Sequence, residues 1–88
     1  MRRARREPIG PIYITFGRTI REMRARRGLT QDQLGFHSGL HRNYIGAIER
    51  GEINPTLKTM LRLEQGLNLA FAEIADLFDQ RREEDDGR

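Results

Sequence analysis

The sequence has no cysteine, so neither a disulfide framework nor a thiolate metal site is available. It also has no long apolar run. IYITF, residues 12–16, is the longest near the N-terminus, against the roughly 20 residues that a membrane-spanning helix needs. The opening MRRARRE is basic and lacks the apolar segment of a secretory signal, so a cytoplasmic protein without a membrane partner is expected. No phosphate-binding loop, dinucleotide fingerprint, or nucleophile with a base at motif spacing is present. His37 and His41 stand four apart, but Gly39 interrupts the helix between them and no third ligand is near, which argues against a metal site. The acidic residues of DQRREEDDGR read as a solvated tail, which would not hold two carboxylates at the fixed separation acid–base chemistry requires. No enzyme, no cofactor and no small-molecule ligand are expected.

What the chain does have is charge, unevenly placed. The 88 residues carry a net +3, yet residues 1–28 hold nine Arg and two Glu, a net of +7, while the remainder is acidic. A basic first third points to an anionic partner such as nucleic acid or an acidic lipid surface; the plainer alternative is a composition rich in arginine throughout. A chain this short makes one small domain with a modest core, for which self-association is a natural supplement.

The apolar pattern is helical from end to end, giving an all-α fold of five short helices. Residues 1–12 read as a flexible basic arm, 13–78 as the folded domain and 79–88 as a charged C-terminal tail. Phe16, Ile20 and Met23 form the stripe of a helix over 15–27, with Thr15 as N-cap and Gly28 as its stop. Thr30 and Gln33 form a capping box for a helix over 31–38, ended by Gly39. Further helices are expected over 42–50, over 56–66 (Leu57, Met60, Leu61 and Leu67 on one face) and over 71–78.

The segment QDQLGFHSGLHRNYIGAIER, residues 31–50, carries the functional signal. On a wheel of 100° per residue, Ile45 and Ile48 define the inner side of helix 42–50, with His41 and Glu49 near them. Asn43, Gly46, Ala47 and Arg50 fall on the opposite side, while Arg42 and Tyr44 flank the boundary. Arg and Asn at a helix start suit purine edges and phosphates, and a nearly bare middle would let a DNA groove approach. Alternatively, Gly46 and Ala47 lie beneath another helix of the same chain and Arg42 is merely solvated. Gly35 and Gly39 supply the close approach and reversal that two steeply crossing helices require.

These residues resemble the helix-turn-helix of the lambda-repressor-like (XRE) family. FGRTIREMRARRGLTQDQL, SGLHRNYIGAIERGEINPTLKTM and EIADLF resemble family segments in the same order, from about Phe16 to Phe78. The resemblance implies a compact five-helix domain whose helix 42–50 enters the major groove, with Arg42, Asn43 and Ala47 at bases and Gly46 admitting the DNA. It implies phosphate contacts from Gln31, Asn54, Thr56 and Lys58, with Thr30, His41 and Tyr44 alongside, and an ion pair between Arg24 and Glu49. His41 stands where a Ser or Thr cap is usual, Phe36 where a charged residue is usual, and Glu64 on an apolar stripe, where it would need an arginine or a dimer seam.

The expected function is a sequence-specific double-stranded DNA-binding regulator of transcription, expected to repress, acting as a homodimer on a palindrome-like operator. Phe71, Ile74, Leu77 and Phe78 are the seam candidates, or else core. Arg2, Arg3, Arg5 and Arg6 either reach DNA or form a solvated start. The same scaffold also serves two other readings, a restriction–modification controller and a protein-interaction module of antitoxin or polymerase-docking type.

Overall fold

Pro11 opens the first helix, α1, which runs to Arg26. Its fixed φ and missing N–H suit that position, because the first amides of a helix have no partner within it. The structure is a computed structural model that describes residues 7–87; among them are α1, α2 (Gln31–Ser38), α3 (Arg42–Glu49), α4 (Leu57–Leu67) and α5 (Phe71–Asp86), with no strand. The helix therefore starts four residues before the expected Thr15, and residues 11 and 12 belong to the fold rather than to an arm. Thr15 is no cap: it is buried in the second turn, where its hydroxyl meets Asp85 of α5. Arg2, Arg3, Arg5 and Arg6 lie outside the described residues.

Ile20 and Met23 of α1, Leu34 of α2, Ile45 and Ile48 of α3, Leu63 and Leu67 of α4, and Ile74 and Leu77 of α5 form one core. Each such side chain stabilises by about 1.5–3 kcal/mol when fully buried. Helices of eight residues such as α2 and α3 do not persist alone, so this packing holds them. α1 lies against α3 and α5, and α2 against α3 and α4. A Cβ on Gly17 would fall 2.5 Å from the Glu49 carbonyl oxygen, so the absence of a side chain there lets α1 touch the end of α3.

Two expectations about the last helices are corrected. The buried face of α4 is Thr59, Leu63, Gly66 and Leu67, spaced i, i+4, i+7, i+8, whereas Leu57 and Leu61 are exposed. Glu64 thus lies off the core stripe, and its carboxylate accepts from the Phe71 amide at 3.0 Å instead of pairing with an arginine. Together with Glu73, which accepts from the Ala70 amide at 2.8 Å, it caps a helix whose Ala70 offers no cap of its own.

The expected charged tail is the second half of α5. Arg81 donates to Glu22 of α1 at 2.9 and 2.7 Å, and Arg18 to Asp85 at 2.9 Å. The Arg81 hydrogen bonds hold the Glu22 carboxyl below its ordinary value, and the Thr15 hydroxyl, with Arg18, does the same for Asp85. Composition alone reads this run as solvated because each partner lies on α1, 59 or more residues earlier.

Candidate nucleic-acid interface

Thr30 and Gln33 build the start of α2 reciprocally. The Gln33 amide donates to the Thr30 hydroxyl at 3.0 Å, and the Thr30 amide donates to the Gln33 side chain at 2.9 Å. At the other end Gly39 adopts φ 72°, a left-handed conformation that lets the Leu40 amide return to the Gly35 carbonyl at 2.9 Å. A Cβ on Gly35 would overlap the Leu40 carbonyl oxygen and sit 3.3 Å from the Arg42 amide nitrogen. These two glycines bring α3 across α2 in a turn of three residues.

His41 caps α3. Its Nδ1 accepts from the Asn43 amide at 3.0 Å, which makes Nε2 the ring's donor. The imidazole thus does the work of a Ser or Thr cap, and it holds the backbone at Asn43. His41→Ala is expected to cost about 1 kcal/mol of stability, and His41→Ser to restore it, measured as thermal midpoints of the variants. A midpoint unchanged in the alanine variant would show that the imidazole contributes nothing to the start of α3.

The other end of α3 is rooted by Glu49, whose residue is 3% exposed. Arg24 of α1 donates to it through Nε at 2.6 Å and Nη2 at 3.0 Å, and Gln31 of α2 through Nε2 at 2.9 Å. Arg21 approaches at 3.4 Å, and Arg24 also donates to the Leu29 carbonyl at 2.9 Å. Burial pushes the Glu49 carboxyl up, but the hydrogen bonds and the Arg24 charge outweigh it, so the group sits below the ordinary carboxylate value. One carboxylate thereby ties α1, α2 and α3 together.

Between cap and root, Arg42 and Asn43 are exposed and Ala47 is half-buried. Gly46 departs from its expected place: it is buried, and a Cβ there would meet the Arg50 guanidinium at 2.9 Å and the Gln31 amide at 3.5 Å. Its missing side chain makes room for this chain's own groups.

The remaining candidates gather at the start of α4. Thr56 caps that helix, its hydroxyl accepting from the Thr59 amide at 3.1 Å, and Asn54 and Lys58 are exposed beside it. Tyr44 reaches across from α3, its hydroxyl 3.3 Å from that of Thr59. Thr59 is absent from the sequence-based candidates, although its place three residues after the capping Thr56 is a local signal for it. Thr30 and Gln31 stand apart from this group, at the start of α2. Among the described residues no cluster of three His, Asp or Glu side chains is placed to hold a metal ion.

Of the seam candidates, Ile74 and Leu77 are core, 1% and 7% exposed, because their spacing turns them toward α1 and α4. Phe78 packs edge-on against Phe16 with ring centroids 5.6 Å apart. Phe71 keeps a surface face and lines one apolar groove with the exposed Ile12.

Comparison with known proteins finds relatives over most of the folded domain. The control protein C.SmaI of Serratia marcescens is 44% identical over 55 residues, 62% of this chain and 66% of that one. The control protein C.BamHI of Bacillus amyloliquefaciens is 32% identical over 66 residues, 74% of this chain and 82% of that one. The crystal structure of the restriction–modification controller protein C.AhdI from Aeromonas hydrophila superposes with a TM-score of 0.69 at 40% identity, covering 70% of this chain and 94% of that one. A helix-turn-helix family model matches residues 20–74, the span from the middle of α1 to the core isoleucine of α5. The chain belongs to the helix-turn-helix family.

Proposed function

We propose that this chain is a sequence-specific double-stranded DNA-binding regulator of transcription that acts in the cytoplasm and reads the major groove with α3. The observation that carries the reading is the exposed Arg42–Asn43 pair on a helix capped by His41 and rooted by buried Glu49. Donors held on a rigid element keep the geometry that base-edge recognition needs. Ala47 follows one turn later on the same face. Gln31, His41, Asn54, Thr56 and Lys58 are the phosphate contacts, with Thr30 and Tyr44 bracing them. Likeness to restriction–modification controller proteins supports such a system as the regulated target, and likeness to a phage immunity repressor supports repression as the sense of regulation.

One such domain covers only a few base pairs. A homodimer on a palindrome-like operator, with half-site centres about 34 Å apart, supplies the missing contacts. The seam is the surface of Phe71 and Ile12, extended by Phe78. Selection from a random duplex pool tests the whole reading: a two-fold symmetric consensus is expected, with affinity falling steeply as salt rises. A pool that emerges without any consensus would refute it.

A second reading has one observation in its favour. Phe36 is 85% exposed on α2, where a protein-interaction module would present an apolar contact. Binding of a partner protein at Phe36 with no affinity for duplex DNA would favour that reading.

A further inference from the structure

The middle of the α3 outer face is not bare. Arg50, the residue that ends the helix, folds back over Gly46, and its Nη1 occupies the space 2.9 Å from where a Cβ would stand. The Gln31 amide borders the same glycine at 3.5 Å. A guanidinium therefore lies across the helix a turn beyond Asn43, on the side that Asn43 and Ala47 share.

Its orientation is held. Arg50 donates to Glu52 through Nε at 2.7 Å and through Nη2 at 3.2 Å, a two-point clamp along one edge of the guanidinium. The Arg50 side chain is 53% exposed and the Glu52 side chain 11%, so the carboxylate is the fixed partner and the arginine the presented one. An arginine has two usable forks. With Nε and Nη2 clamped sideways, the end-on fork of Nη1 and the second Nη2 hydrogen makes no hydrogen bond among the described residues and is planar and oriented by the clamp.

From this geometry we propose that Arg50 is a specificity-determining residue, its end-on fork reading the O6 and N7 of a guanine in the major groove, with Glu52 as the positioning residue. The inference rests on α3 being the groove-reading helix. A guanine edge fits this fork because its O6 and N7 are two acceptors side by side, which a planar pair of N–H donors matches bidentately. Orienting the fork before binding also removes much of the entropy cost of ordering a long side chain. Gly46 follows from the same arrangement, since any side chain there would displace the guanidinium.

The test uses the full chain and its selected duplex, with each base pair of the half-site varied in turn. Arg50→Ala should lose roughly 5- to 150-fold in affinity for the consensus, with preference relaxed at one guanine distinct from the positions that Arg42→Ala and Asn43→Ala relax. Arg50→Lys should not restore that preference, because an ammonium has no fork. Glu52→Gln should weaken discrimination at the same guanine and at no other position. Several results would overturn the proposal. If Arg50→Ala weakens every sequence equally and lowers the salt slope by about one, Arg50 contacts a phosphate. If affinity is unchanged while Arg42→Ala still relaxes its own position, α3 reads DNA without Arg50. If the wild-type chain selects no consensus, the reading of α3 falls and this inference with it. Equal thermal midpoints for wild type, Arg50→Ala and Glu52→Gln keep these outcomes separate from loss of fold.

Discussion

Replacing Glu49 by alanine is expected to cost about 3–5 kcal/mol of stability, because it strands Arg24 and Gln31 around an emptied site. Three helices meet at this carboxylate, and its side chain has no solvent-exposed surface. Against the 5–15 kcal/mol that a small domain has in total, this is a large fraction, and it would be read as a shift in the urea midpoint at neutral pH. The loss should also depend on pH. The folded-state carboxyl lies below its ordinary value of 4.5, so the unfolded chain takes up a proton first as pH falls. The ionic contribution is therefore complete above that value and disappears as pH drops through the lower, folded-state value. Glu49→Gln, which keeps shape but not charge, should differ most from wild type at neutral pH and progressively less below about pH 4. A gap that stays constant down to acid pH would show that packing rather than charge does the work of Glu49.

Arg42→Ala and Asn43→Ala should each lose about 1–3 kcal/mol in binding to the selected operator, and each should relax preference at its own base pair. Arginine offers a fork to guanine and asparagine a donor–acceptor pair to adenine, so the two losses should fall at different bases. Neither side chain is buried, and thermal stability should stay close to wild type. The contrast with Glu49 is diagnostic. Glu49→Ala should harm folding and, through folding, binding, whereas Arg42→Ala should harm binding alone. Competition assays against each single-base variant of the operator would measure the effect. Unchanged preference in both variants would move the reading surface away from the start of α3.

Much of this arrangement was legible because it is encoded locally. The Thr30–Gln33 capping box, the stop at Gly39 and the Ile45/Ile48 inner face depend on residues no more than four apart. The wheel turned Glu49 inward, where a charge needs a partner, and the resemblance supplied Arg24. His41 was harder, because an imidazole is an uncommon cap and only the placed ring reveals that Nδ1 faces the Asn43 amide. The buried face of α4 is hidden in the sequence for a different reason. Leu57 and Leu61 mimic a core stripe, yet the position of α2 decides that Thr59, Leu63 and Gly66 face inward.

By itself, the sequence determined the number and type of the elements, the turn that crosses α2 with α3, and the polar leading end of α3. Short-range spacing and capping chemistry are sufficient for these. Only the tertiary structure decided that the acidic–basic C-terminal run is a helix docked on α1, that Ile74 and Leu77 are core, and that Gly46 gives its space to Arg50. Each depends on groups distant in the chain or on the path of a flexible side chain. A carboxylate or a glycine has the same local pattern whether water, a distant arginine or a folded-back guanidinium lies against it, and packing alone selects among them.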